Sequence, residues 1–274
     1  MRLPLYQLDA FADRPFTGNP AAVVPLSGWL PDPTLQAIAL ENNLAETAFL
    51  VRREPAGADL VEYDLRWFTP AIEVDLCGHA TLASAAAVQR WLAPGARTIR
   101  FHTHSGALTV SGDSLSGEGL LTMDFPAQPP RPVGTAEAAA VAAALGQEPE
   151  AVLAAGKALA VLADEAAVLA AAPDLARVAA LPFDGLIVTA PGHDHDFVSR
   201  YFAPHAGIDE DPVTGSAHCV LTPYWAERLG RSRLSARQVS ARGGDLRLEL
   251  KGERVAIGGR VAPYLEGTIE VPEA

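Results

Sequence analysis

Apolar and polar positions alternate with a period of two at the start of the chain, so residues 3–11 read as a strand that stops before the turn chemistry of Thr17-Gly18-Asn19-Pro20. Residues 21–25 read as a second short strand. Asp32 followed by Pro33 marks a helix start, with the carboxylate as cap and Leu35, Ile38 and Ala39 as an apolar face, and Asn42-Asn43 ends it. Residues 44–51 alternate again, Ala45, Thr47 and Phe49 against Leu44, Glu46 and Ala48, which predicts a strand carrying one carboxylate on a largely apolar face. Strands are predicted at 63–69, 98–103, 107–111 and 119–125, with an apolar helix at 80–92 between them.

From 135 to 181 the chain is rich in alanine and predicts helices at 136–145, 149–155, 165–171 and 174–180, read as surface packing rather than chemistry. Strands follow at 186–190 and 196–202, then a second apolar helix at 217–229 and a run of strands ending at 267–271. Helices set among sheets of mixed spacing argue for an α+β fold.

The two halves echo each other. Asp75-Leu76-Cys77-Gly78-His79-Ala80-Thr81-Leu82 and Asp211-Pro212-Val213-Thr214-Gly215-Ser216-Ala217-His218 each run from an acidic residue through a glycine into an apolar helix. Gly78 and Gly215 lie 137 positions apart, half of the 274 residues, where an internal duplication would place them.

Composition narrows the function. With 49% apolar and 20% charged residues the chain is of ordinary globular type, and its length suggests two compact units. A formal net charge of −12 without a local cluster of lysine and arginine lacks the footprint of nucleic-acid or anionic-membrane binding. No apolar run suits a signal peptide or a membrane span, so a cytoplasmic protein is expected. Two cysteines, Cys77 and Cys219, make neither a disulfide scaffold nor a zinc motif, and reduced thiols are expected.

A glycine-led helix start offers unpaired N–H groups and the positive end of the helix dipole, which suit a carboxylate or an enolate. His79 and Ser216 open the two helices, where each reads either as a plain turn or cap residue or as a group touching a polar ligand; a histidine, a mediocre cap, leans toward proton donation or hydrogen bonding. Glu46 among Leu, Ala, Thr and Phe is either an outward-facing strand residue or a desolvated general base with a raised pKa. Asp211, inside Asp209-Glu210-Asp211-Pro212, reads by spacing alone as part of a solvated loop or of a weak cation site. Cys77 is a small buried residue or a nucleophile activated by the helix start. His193-Asp194-His195-Asp196 follows Pro191-Gly192 and reads as a polar turn, not a metal site, and neither Gly243-Gly244 nor Gly258-Gly259 has phosphate-loop spacing.

Several strings then converge in order: Phe16-Thr17-Gly18-Asn19-Pro20-Ala21-Ala22-Val23, Asn43-Leu44-Ala45-Glu46-Thr47-Ala48-Phe49, Arg66-Trp67-Phe68-Thr69-Pro70, Cys77-Gly78-His79-Ala80-Thr81, Phe202-Ala203-Pro204, Gly207 to His218, and Arg242-Gly243-Gly244. Over nearly its whole length the chain resembles the PhzF-like, phenazine-biosynthesis type isomerases. The resemblance implies a diaminopimelate-epimerase-like α+β fold, two similar domains each with a curved mixed sheet around a central helix, and an active site between them. The expected division is 1–117, joined by the C-terminal strand 264–274, and 118–263. Carried over by motif, the proton shuttle falls on Glu46, with His79 and Asp211 as further catalytic groups and Gly78, Gly215 and Ser216 as substrate-binding ones. The resemblance implies no cofactor and no metal, a small carboxylate-bearing substrate, often with an amino or hydroxyl group, and a homodimer. Related epimerases and proline racemases use two thiols; here Cys77 matches the first and Thr214 stands in the second place, which argues against two-thiol racemisation. Two other readings stand beside the isomerase: a non-catalytic metabolite-binding protein, and an amino-acid epimerase working through Cys77.

Overall fold

The computed structural model describes residues 1–54, 60–112, 114 and 119–272. The chain forms two compact units, Met1–Asp124 with Gly258–Ala274, and Phe125–Ile257. The expected boundary at 117/118 lies outside the described residues.

The first unit runs through β1 (Arg2–Ala10), β2 (Asn19–Leu26), α1 (Asp32–Asn42), β3 (Glu46–Arg53), β4 (Leu60–Phe68), β5 (Glu73–Val74), α2 (Gly78–Ala87), β6 (Thr98–Thr103), β7 (Gly106–Gly112) and the start of β8 (Leu121–Pro126). Its sheet is mixed: β2 pairs antiparallel with β1 and parallel with β3, and β4 pairs antiparallel with β3 and parallel with β6. Residues 79–87 of α2 are all buried, and the helix packs against β1, β2 and β3. A helix apolar on every side belongs inside, and its small residues allow the close approach. Its two hydroxyls stay satisfied by bonding back along the helix, Thr81 Oγ1 to the Cys77 carbonyl at 2.5 Å and Ser84 Oγ to the Ala80 carbonyl at 2.7 Å. A second cluster, Leu35 and Ile38 with Leu5, Val24 and Phe49, seats α1 on the same unit.

The second unit contains β9 (Arg131–Pro132), α3 (Thr135–Leu145), β10 (Ala151–Ala155), β11 (Lys157–Val161), α4 (Glu165–Ala170), α5 (Leu175–Ala179), β12 (Leu186–Pro191), β13 (Phe197–Ala203), β14 (Ile208–Asp211), α6 (Gly215–Leu229), β15 (Arg233–Gln238), β16 (Gly244–Lys251) and most of β17 (Arg254–Gly259). Its sheet is also mixed, with β11 parallel to β12 and β13 parallel to β15. The chain then returns to the first unit as β18 (Val261–Glu270), antiparallel to β1. Among the described residues no helix is long and apolar enough to cross a membrane.

Three local expectations need correction. Residues 149–155 do not form a helix: 151–155 are β10, which turns at Gly156 (φ +74°) so that Ala155 pairs with Lys157. Alanine favours helix by only tenths of a kcal/mol per residue over most alternatives, and ladder bonds to β9 and β11 on either side outweigh that preference. Nor is 135–181 all surface packing, since Ala158, Ala160 and Leu162 lie in the core of this unit. Asp32 does not cap α1; the cap position is Pro31 without a side-chain bond, and Asp32 instead accepts from Arg66 Nη1 at 2.9 Å.

Gly18 closes the approach to β2 at φ +65°, and a Cβ there would overlap the Ala10 carbonyl oxygen. Gly18→Ala is therefore expected to destabilise the protein by more than about 1 kcal/mol, read as a lowered melting temperature. An unchanged melting temperature would show that the segment relaxes freely.

Candidate active site

Glu46 is the first residue of β3, paired in parallel register with Ala21 of β2. Residues 46–50 are all buried, so the strand presents no solvent face at this end and Glu46 is a carboxylate drawn inside, 8% exposed. The chain reaches this position by reversing at Asn43, in left-handed conformation (φ +48°) at the end of α1. Opposite it stands the start of α2. The cap position is Cys77, extended at φ −141°, and no side chain caps the helix. His79, buried, places Nε2 3.1 Å from Glu46 Oε2. That is ion-pair distance, but the approach is out of line for a hydrogen bond, and neither atom has a hydrogen-bond partner among the described residues. On the other side of the ring, Nδ1 lies 3.2 Å from Asn19 Nδ2 and 3.5 Å from Cys77 Sγ.

Burial governs the electrostatics. It pushes the Cys77 thiol up to about 11, with the Glu46 charge adding to the rise, so Cys77 is a thiol at neutral pH. For His79, burial opposes the charged ring while the Cys77 sulfur and the Glu46 carboxylate pull the other way; with both of them ionised they prevail and the pKa stands well above its ordinary value. The three donor atoms fall within 4.8 Å of one another, the composition of a soft-cation site. A cation there would first have to expel the firmly held thiol proton.

The other helix start lies in the second unit. α6 begins at Gly215 with Thr214 in the cap position and again no side-chain cap, so Ser216 is not a capping residue. The Thr214 hydroxyl donates to Asp211 Oδ2 at 2.5 Å, away from the helix. Buried Gln238 fixes both: its Nε2 donates to the Asp211 carbonyl at 2.6 Å and to Thr214 Oγ1 at 3.2 Å, and its Oε1 accepts from the Thr214 N–H at 2.9 Å. Asp211 is thus part of an ordered network at the end of β14, not of the solvated loop that spacing alone suggests. Neighbouring Glu210 is held by Arg200 in a bidentate pair at 2.7 and 2.9 Å.

The structure therefore brings Glu46, Gly78 and His79 together at one helix start and Asp211, Gly215 and Ser216 at the other. Sequence reasoning assigned no role to Asn19 or Gln238. Asn19 was visible only as part of a turn and a motif, and Gln238, at the end of an unremarkable strand, carries no local signal. His193 to Asp196 does form a bend, where His193 pairs with Glu165 at 3.3 Å and His195 with Asp245 at 3.1 Å.

One turn into α6, His218 is buried and donates Nδ1–H to the Thr214 carbonyl at 2.8 Å. Burial pulls its pKa down to about 4 despite that bond. Between pH 6.5 and 4 the unfolded chain takes up a proton there that the folded one refuses, so stability is full above 6.5 and falls as the pH drops toward 4. The loss is expected to be on the order of 3 kcal/mol. Urea midpoints of the wild type and His218→Phe at pH 7.5 and 5 check this: the variant should lose less on acidification, and equal losses would contradict it.

The model of the family described as phenazine biosynthesis-like protein matches residues 8–267. The chain is 51% identical over 273 residues to an uncharacterized isomerase of Pseudomonas aeruginosa, covering 99% of this chain and 100% of that one. It superposes with a TM-score of 0.90 on the crystal structure of a phenazine biosynthesis protein of the PhzF family from Enterococcus faecalis, at 43% identity over 99% of this chain and 100% of that chain. A hydroxyproline epimerase from Agrobacterium vitis, at 11% identity and a TM-score of 0.57 over 98% of this chain and 92% of that one, shares the fold alone.

Proposed function

The chain belongs to the phenazine biosynthesis-like protein family, and from that premise we propose that it is a cofactor-independent isomerase with Glu46 as its proton shuttle. The observation that carries the reading is a buried carboxylate 3.1 Å from a buried imidazole at an uncapped helix start. The Glu46 carboxylate takes a proton from a carbon activated by a neighbouring carboxylate or conjugated system; the electron pair left behind delocalises into that system, and the same proton returns at another carbon. No atom is gained or lost. His79 answers the change of charge on Glu46, and the N–H groups opening α2 favour the negative charge that develops on the substrate. Gly215 and Ser216, at the start of α6, have the same anion-favouring setting, and Asp211 stands beside them as a further polar group for an amino or hydroxyl substituent.

An amino-acid epimerase using Cys77 as a base fits less well. A thiol held up at about 11 is almost fully protonated at neutral pH, and Thr214 offers no second thiol.

The test is to incubate the protein and its Glu46→Gln variant with a pool of small amino and hydroxy acids in deuterium oxide and to follow labelling by mass spectrometry. Compounds labelled or isomerised by the wild type alone support the reading and name the substrate. Labelling that survives in Glu46→Gln but is lost in Cys77→Ala would turn it into the epimerase; a compound bound by the wild type but never labelled would turn it into a binding protein.

A further inference from the structure

We propose that Asn19 is a positioning residue that decides which nitrogen of His79 carries the ring proton: its side-chain N–H donates to Nδ1 and so places the proton on Nε2, the ring nitrogen nearer Glu46. Asn19 Nδ2 is a donor only, and it lies 3.2 Å from Nδ1, with Asn19 and His79 both buried. An imidazole nitrogen facing a donor at that distance presents its lone pair, and the proton of the neutral ring then sits on the other nitrogen. The second neighbour of Nδ1 agrees: Cys77 Sγ at 3.5 Å carries its own hydrogen and can only weakly donate. The donor at Nδ1 opposes a second ring proton, and this contact, not the upward shift of the ring's pKa, decides the charge state proposed for His79.

The backbone that delivers Asn19 is unusual in a way that fits this role. Phe11 and Phe16 hold positive φ angles, +58° and +74°, as does Gly18 at +65°. The buried carboxylate of Asp9 accepts the Phe16 N–H at 2.8 Å and pins the segment immediately before Asn19. Strain of this kind, here at the two phenylalanines, persists where the surroundings hold a group in a required place.

The consequence rests on the proposed function: the ring proton then sits on the nitrogen 3.1 Å from Glu46 Oε2, close at hand when a proton enters or leaves that carboxylate. The assignment of the proton itself does not rest on it. His218 supplies an internal reference, because its Nδ1 faces a carbonyl oxygen and must carry the hydrogen. The two buried histidines should therefore be opposite tautomers.

The test uses the whole protein labelled with 15N in its histidine rings, with long-range 1H–15N correlation spectra recorded at pH 7.5 and His79 and His218 assigned by loss of signal in His79→Gln and His218→Phe. The expected pattern is a pyridine-like Nδ1 and a pyrrole-like Nε2 for His79, and the reverse for His218. Asn19→Asp, the same shape with an acceptor in place of the donor, should shift the His79 Nδ1 resonance from pyridine-like to pyrrole-like. A wild-type His79 protonated on Nδ1, alone or together with Nε2, would overturn the proposal, as would an unchanged His79 spectrum in Asn19→Asp. No substrate is needed, so a failure here is distinct from a failure to find isomerase activity.

Discussion

Replacing Glu46 with glutamine should lower proton exchange on a true substrate by about 10²- to 10⁴-fold while leaving the protein folded. The size follows from the role, since an amide of nearly the same shape can neither take nor return a proton. Survival of the fold follows from the surroundings. Glu46 is buried at the end of β3, and its close polar neighbour is His79 Nε2 at 3.1 Å. A glutamine has nearly the same shape and volume and keeps the packing at this end of β3. Exchange rates and a thermal melt, measured on one preparation, separate the two effects. Exchange within a few-fold of wild type, in a variant that melts normally, would remove Glu46 from the chemistry.

Trp225→Ala should cost the second unit about 3–5 kcal/mol. Trp225 is wholly buried in α6, stacks on Phe197 with centroids 5.5 Å apart and planes 4° from parallel, and meets the ring of Tyr224 edge-on. Its indole N–H donates to Thr189 Oγ1 at 3.0 Å, and that hydroxyl in turn donates to the Val198 carbonyl at 2.7 Å. Truncation removes the ring that joins α6 to β12 and β13 and leaves an acceptor without its donor. Trp225→Phe keeps a stacking surface and loses the hydrogen bond, and should cost less than the alanine variant. Urea unfolding followed by circular dichroism gives both values. A loss under about 1 kcal/mol for Trp225→Ala would mean that the neighbourhood collapses to fill the space.

How much of this was legible in the sequence depends on the range of each interaction. The two helix starts were legible because a glycine entering an apolar run is a local pattern, although both helices begin two residues earlier than periodicity placed them, at Gly78 and Gly215. Glu46 could be singled out as a lone carboxylate in an apolar strand, but alternation predicted one buried face where the structure buries both at that end. Residues 151–155 were misread because alanine runs favour helix locally and only pairing with other strands reveals a hairpin. Gly156 was the available signal, since a glycine inside such a run is where a tight reversal becomes possible.

By itself, then, the sequence determined the family through ordered motifs, the mixture of helix and strand, and the residue types able to carry a proton. Those are properties of neighbouring residues and of their order. The meeting of these residues was decided only in three dimensions. Asn19 and His79 are 60 positions apart and meet at 3.2 Å, and Gln238 reaches Thr214 across 24 positions. The parallel pairing of β2 with β3 sets Ala21 beside Glu46, and α2 packs against both strands to bring His79 in. The energy that fixes such pairings comes from burying whole faces of strands and helices, and no short window of sequence contains it.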